Sequence, residues 1–177
     1  MKDIEVYDNE VPFNIRNKMS DFAQNSSFQI GWEDRPDFDK KAHPCLHCKF
    51  TKEDLKNSGI LPSLNEIYTK SKFAASLNPS SYIQSVLNVS KPGDIYYAHT
   101  HLNQIALVYY INMDWKEEWY GETIFWDKNH KDIIYTSAYT PGRVIIFDGN
   151  YPHSIRPQSI VGPNYRFSLS LFYRKKA

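Results

Sequence analysis

From residue 80 onward the chain is a series of short apolar runs. "SYIQSVLNVS", "DIYYAHTH", "IALVYYIN", "ETIFWD", "DIIYTSAY", "RVIIFD" and "YRFSLSLFY" are rich in β-branched and aromatic residues, and "KPGD", "TPGR" and "DGNYP" punctuate them. Short strands at this spacing predict an antiparallel sandwich or barrel. The first 79 residues follow a different period. Ile15, Met19 and Phe22 recur at helical spacing in "VPFNIRNKMSDFAQN", which predicts a helix over 11–24. "SFQIGWED" predicts a strand with Phe28, Ile30 and Trp32 on one face. "TKEDL" opens a short helix with a Thr cap and carboxylates in its first turn. "LPSLNEIYTKSKFAASL" predicts a longer helix that turns Leu64, Ile67, Tyr68 and Phe73 or Ala74 inward. The stretch before them, "RPDFDKKAHPCLHCKF", reads as irregular. Helices first and strands later predict a mainly β single domain over 1–177, with a helical and irregular support region (1–79) packed outside a β core (80–177).

Composition narrows the function classes. A hydrophobic fraction of 41% and an aromatic fraction of 15% exclude a disordered chain. With 21 Lys+Arg against 20 Asp+Glu, the charge argues against a nucleic-acid backbone or an anionic membrane as partner, and against a nucleic-acid base as target. The basic end "YRKKA" reads as a solvated terminus. The start, "MKDIEVYDNEVPF", has charges where a secretory signal needs an apolar core, and no run is long enough to span a bilayer. With both cysteines in one Cys-x-x-Cys, the expected location is the cytoplasm, or that of the host were the chain encoded by a phage. In "HPCLHC", His43, Cys45, His47 and Cys48 have metal-binding chemistry. Structural zinc draws on two separated pairs, however, so Cys45 and Cys48 read as reduced thiols in a loop.

The histidines carry more. In "YYAHTHLNQIALVYYIN", an extended chain would align His99, His101 and Asn103 on one face, at the mouth of an apolar run. His153, in "FDGNYPHSIRP", follows another predicted strand. Two nearby imidazoles and a distant third can form a site for Fe, Zn, Cu or Ni once a sandwich closes. Hydrogen-bonded polar strand ends are the bland alternative, and these residues alone leave both open.

The order of the remaining motifs adds a further clue. After the His pair come "LVYYIN", "WYGETIFW", "TPGRVIIFD", "PHS" and "YRFS". Over about residues 80–175 this set resembles the Fe(II)/2-oxoglutarate-dependent oxygenases, in particular the prolyl-hydroxylase-like branch with its small bacterial and phage members. That pattern runs through His-x-Asp, a Tyr-rich strand ending in Asn, Gly-Glu-Thr, Pro-Gly-Arg, a distal His and Arg-x-Ser/Thr. The resemblance implies a double-stranded β-helix, a jelly-roll relative, with Fe(II) in its mouth and 2-oxoglutarate as cosubstrate. It further implies hydroxylation of an unactivated C–H in an unknown peptide or small-molecule substrate, peptidyl proline among them, with succinate and CO2 as co-products.

Carried over residue by residue, the resemblance makes His101 and His153 metal ligands and puts Asn103 where the pattern has Asp. Asn brings no negative charge. Three readings follow: Asn103 is a weak third ligand, or His99 completes a three-His face like that of cupin-type dioxygenases that need no 2-oxoglutarate, or the chain is a binding module without iron chemistry. A donor to the ligands from outside the metal's reach is the other reading of His99. Arg166 and Ser168 share a strand face and fall where the family grips the far carboxylate of 2-oxoglutarate. A guanidinium forks a carboxylate as Lys cannot. Arg156 is a second candidate for the cosubstrate, with a loop salt bridge as its other reading. Tyr109 is the candidate hydroxyl donor to the same carboxylate; Tyr110, on the opposite face, is the alternative, and a core aromatic is the other reading of either.

Overall fold

A computed structural model describes residues 3–32, 45–74 and 81–175. Along them run β1 (Ile4–Tyr7), α1 (Phe13–Gln24), β2 (Gln29–Trp32), β3 (Cys45–Lys49), α2 (Lys52–Asn57) and α3 (Leu61–Lys70). Then follow β4 (Tyr82–Ser90), β5 (Gln104–Tyr110), β6 (Thr123–Trp126), β7 (Ile133–Ser137), β8 (Val144–Asp148), β9 (His153–Ile155) and β10 (Arg166–Arg174). A large sheet has the order β1-β8-β5-β10-β4-β3-β2, and a small one the order β7-β6-β9. All ladders are antiparallel.

Alternation sorts the large sheet's side chains onto two faces. Leu107, Tyr109, Val144, Ile146, Leu169 and Leu171 point one way and pack against the helices, which bring Met19, Leu55, Leu64 and Ile67. Ala106, Tyr110, Ile145, Phe147 and Phe172 point the other way and meet Phe125 and Tyr135 of the small sheet. Two facing antiparallel sheets with helices on the outer face form a mainly β jelly roll, the double-stranded β-helix expected from the sequence. No helix among the described residues is long and apolar enough to cross a membrane.

Local chemistry places the helices where their periodicity did. Thr51 caps α2: its Oγ1 accepts from Asp54 N (3.1 Å), while Asp54 Oδ2 accepts from Thr51 N (2.8 Å). Leu64 and Ile67 are buried on α3 as expected, but α3 ends at Lys70, so Phe73 is buried from the turn that follows it rather than from the helix.

Four readings are corrected. "CLHCK" is not a loop but a strand, β3, laddered to β4 with Cys48 opposite Leu87; its short length and polar content hid it. Ile30 is 73% exposed, because β2 is an edge strand whose register slips between Ile30 and Trp32 at Gly31 (φ 128°). The run "DIYYAHTH" forms no strand beyond a single bridge, His99 to His153. Conversely, β1 and β9 are strands that periodicity missed, since three or four residues are too few to show a period. His43 and the side chain of Cys45 lie outside the described residues, as does the stretch 33–44.

Candidate metal centre

Three histidines meet between the two sheets. His99 and His153 exchange both backbone hydrogen bonds, each 3.0 Å, which ties the segment before β5 to β9. Two residues on, His101 N donates to Gly149 O at 2.7 Å, and the chain then turns at Asn103 (φ 59°) into β5. Gly149 permits this approach, because a Cβ there would stand 2.6 Å from His101 O. One ligand atom from each of His99, His101 and His153 lies within 4.8 Å of the others.

The ring orientations suit metal binding. His153 Nδ1 stands 3.0 Å from Tyr151 O, and His99 Nδ1 stands 3.1 Å from Tyr97 O. A carbonyl only accepts, so each Nδ1 carries a hydrogen and each Nε2 is the nitrogen that would meet a metal. Burial, with a smaller contribution from His99, lowers the pKa of His101 to about 3. Burial also holds His153 well below the usual imidazole range, helped by His99 and His101. Both rings are neutral and ready to donate at pH 7.

This neutrality has a measurable consequence for the metal-free protein. Unfolded imidazoles titrate near 6.5 and His101 near 3, so the unfolded state binds more protons in between. Stability from these rings is full above about pH 6.5 and falls as the pH drops toward 3. Thermal melts in chelator at pH 7.5, 6 and 4.5 are expected to show a steadily falling Tm, with a shallower fall in His101→Asn.

Arg166 lies on the wall of the same cleft, with Ser168, Ser170, Asn88 and Ser90 beside it on the large sheet. It is only 2% exposed. Its Nε donates to Gly121 O at 2.9 Å, and its guanidinium lies 4.5 Å from the Tyr139 ring centre and 5.3 Å from that of Tyr110. Gly121 (φ 84°) allows this contact, since a Cβ would come within 3.2 Å of Arg166 Cδ and Nε. Yet, among the described residues, Arg166 Nη2 is buried with no hydrogen-bond partner. A buried cationic donor left unpaired is costly, and a carboxylate in the cleft would satisfy it.

The other candidate residues are placed differently. Asn103 is exposed in its turn, its N–H held by Asn150 Oδ1 at 3.1 Å, and it does not line the cleft. Arg156 also stands outside, stacked 3.6 Å over Tyr120 and 3.4 Å from Glu122 Oε1, so the loop salt bridge is what forms. Tyr109 faces the helices, with its hydroxyl buried and unpartnered. Tyr110 is the tyrosine on the cleft side, and it bonds Thr123 Oγ1 at 2.6 Å rather than opening into the cleft. This corrects the choice of Tyr109: β5 enters the ladder so that odd positions face the helices. Tyr96 and Thr123 line the cleft and were not foreseen. Tyr96 stands three residues before His99 in a non-strand segment, a spacing that strand periodicity cannot flag.

Residues 87–174 match the family model described as the 2OG-Fe(II) oxygenase superfamily. The chain belongs to that superfamily. Its matched stretch contains the three histidines, Arg166 and Ser168. Among solved structures, a Pseudomonas putida prolyl-4-hydroxylase superposes with a TM-score of 0.71 at 13% identity, covering 98% of this chain and 93% of that one. A Trichoplax adhaerens prolyl hydroxylase, in complex with a hypoxia inducible factor peptide, gives 0.73 at 12% identity over 97% and 83% of the two chains. The viral collagen prolyl hydroxylase of Paramecium Bursaria Chlorella virus-1 gives 0.64 at 15% over 98% and 90%. At such identities the likeness shows the shared jelly-roll fold. No curated protein matches the chain in sequence.

Membership of the superfamily implies Fe(II) and 2-oxoglutarate, and the residues present fit both. Three converging imidazoles suit a first-row divalent metal. The orphaned Nη2 of Arg166 suits a carboxylate. The clustered pair spaced two apart is His99 and His101, while Asn103, at the position of the Asp in the His-x-Asp pattern, stands outside the cluster.

Proposed function

We propose that this protein is an Fe(II)- and 2-oxoglutarate-dependent oxygenase with a three-histidine metal site. It would hydroxylate an unactivated C–H of a peptide or small molecule. The observation that carries this reading is the buried, unpartnered Nη2 of Arg166 on the wall that also holds the histidines. A three-histidine dioxygenase with no carboxylate cosubstrate has no use for that group.

In this reading His99, His101 and His153 hold the metal through one nitrogen each, and Arg166 with Ser168 receives the far carboxylate of 2-oxoglutarate. Iron, when bound, would supply the chemistry by which dioxygen is consumed: one oxygen atom would end in succinate as 2-oxoglutarate loses CO2, and the other in the hydroxyl of the substrate. The chain's own contribution is placement. Carbonyls of Tyr97 and Tyr151 fix two ring tautomers. Val86, Ala106, Val108, Phe147 and Phe172 line the cleft and keep its interior apolar, which strengthens the guanidinium–carboxylate pair. Among the described residues no Asp or Glu lines the cleft, so bound anions would be the only negative charges there.

The test is an anaerobic titration of metal-free protein with Fe(II) and then 2-oxoglutarate. A weak visible band that needs both is expected, and CO2 release in air should follow when a substrate is found, with prolyl peptides screened first. Iron binding without the band would favour the three-histidine dioxygenase that needs no 2-oxoglutarate. No iron binding would favour a binding module.

A further inference from the structure

The Arg166 clamp raises a mechanical question: what holds its backbone? The ladder between β5 and β10 registers as far as Ser168 opposite Tyr110, followed by one bond from Ile111 N to Phe167 O at 3.2 Å. Arg166 lies just past this point: β4 still pairs with it on one side, opposite Ser90, but on the β5 side the strands part.

The side chain of Asn112 takes over there. Its Nδ2 donates to Tyr165 O at 2.9 Å, and its Oδ1 accepts from Phe167 N at 2.8 Å. Backbone groups of the two residues flanking Arg166 are therefore bonded to one amide. Tyr139 locks that amide from the other side, since its hydroxyl lies 2.7 Å from Asn112 Oδ1 and also reaches Phe167 O. Asn112 N donates to the same hydroxyl at 3.1 Å. The Tyr139 ring packs against the Arg166 guanidinium and stacks on Tyr110 at 4.3 Å, so one residue touches both the clamp's backbone support and its head group. Asn112 itself does not line the metal cleft.

We propose that Asn112, locked by Tyr139, is a positioning residue for the carboxylate clamp. It sets the backbone at 165–167 so that Arg166 presents its free Nη2 to the anion. Asn suits the place because one planar group must donate to one carbonyl and accept from one amide. This rests on the reading of Arg166 as the 2-oxoglutarate clamp. A strand-end tie with no further purpose would give the same stability loss on mutation, so stability alone does not discriminate.

The discriminating experiment follows the visible band against 2-oxoglutarate in the iron-loaded protein, with iron binding and Tm measured alongside. Asn112→Ala is expected to raise the half-saturating 2-oxoglutarate concentration about tenfold, the scale of one or two lost hydrogen bonds. Iron affinity should stay within about twofold, because the histidines lie on other segments. Asn112→Asp keeps the acceptor for Phe167 N and Tyr139 and should recover part of the loss. Tyr139→Phe keeps the ring and removes the lock, with about a threefold rise expected. If Asn112→Ala does not fold, Tyr139→Phe and Asn112→Asp still decide. Unchanged 2-oxoglutarate dependence in variants whose Tm falls would overturn the proposal, as would an equal weakening of iron and cosubstrate. Arg166→Ala is the control. Should it leave the band untouched, the clamp reading itself fails, and this proposal with it.

Discussion

Arg166→Met is expected to abolish 2-oxoglutarate binding while raising the melting temperature. Both effects have one origin. The guanidinium is almost wholly buried, and among the described residues its Nη2 has no acceptor. Removing one partner of a buried, hydrogen-bonded charge pair typically costs about 2–5 kcal/mol of binding, or roughly thirty- to several-thousand-fold. The same unpaired charge is a liability in the ligand-free fold. Met fills similar space without charge, so the loss of the bond to Gly121 O and of the Tyr139 contact is offset by relief of desolvation. A calorimetric or thermal-shift melt of the ligand-free protein, paired with a 2-oxoglutarate titration, checks both signs at once. A variant that binds 2-oxoglutarate normally would sink the clamp. One that loses binding and also melts far lower would show that Arg166 is structural glue.

The second large effect concerns which residue stands at the carboxylate position. His101→Asp is expected to keep iron binding and the 2-oxoglutarate band, because an anionic oxygen then meets a hard cation. The same change should weaken Cu(II) and Zn(II) relative to Fe(II), since those metals favour the imidazole. Asn103→Asp, the change that the sequence by itself recommends, should alter metal affinity by less than about twofold, as its side chain is exposed in a turn outside the cleft. His153→Ala should cost more than the roughly 10–100-fold typical of removing an outer hydrogen-bond partner, because it removes a ligand outright. Competition titrations with a metal-sensitive dye compare the three. If Asn103→Asp tightened iron and His101→Asp abolished it, the three-histidine assignment would be wrong.

The two sheets' long strands were legible in the sequence because each carries enough alternation to declare a face. β5, β8 and β10 show it most clearly, with Leu107, Ile146 and Leu169 on one side and Ala106, Ile145 and Phe172 on the other. The helices were equally legible from Met19, Leu64 and Ile67, and from the Thr51 cap. The types of residue at the site could be read too: two clustered imidazoles, a distant one, and an Arg two residues before a Ser on an apolar strand.

Tertiary structure alone decided which of them converge. Strand alternation assumes an extended chain, and the segment around His99 and His101 is not one: two anchors, His153 and Gly149, hold it instead of a ladder. The left-handed turn at Asn103 then breaks the face that spacing assigned to it. Likewise, whether Tyr109 or Tyr110 faced the cleft depended on strand register, because a shift of one residue exchanges the two faces of a strand. Asn112 was visible as the end of a Tyr-rich strand, but its bonds to Tyr165 and Phe167 span more than fifty residues and exist only once β5 and β10 pair. A sequence states local periodicity and chemical type. Convergence belongs to long-range pairing, and there the histidine cluster and the Arg166 cleft are made.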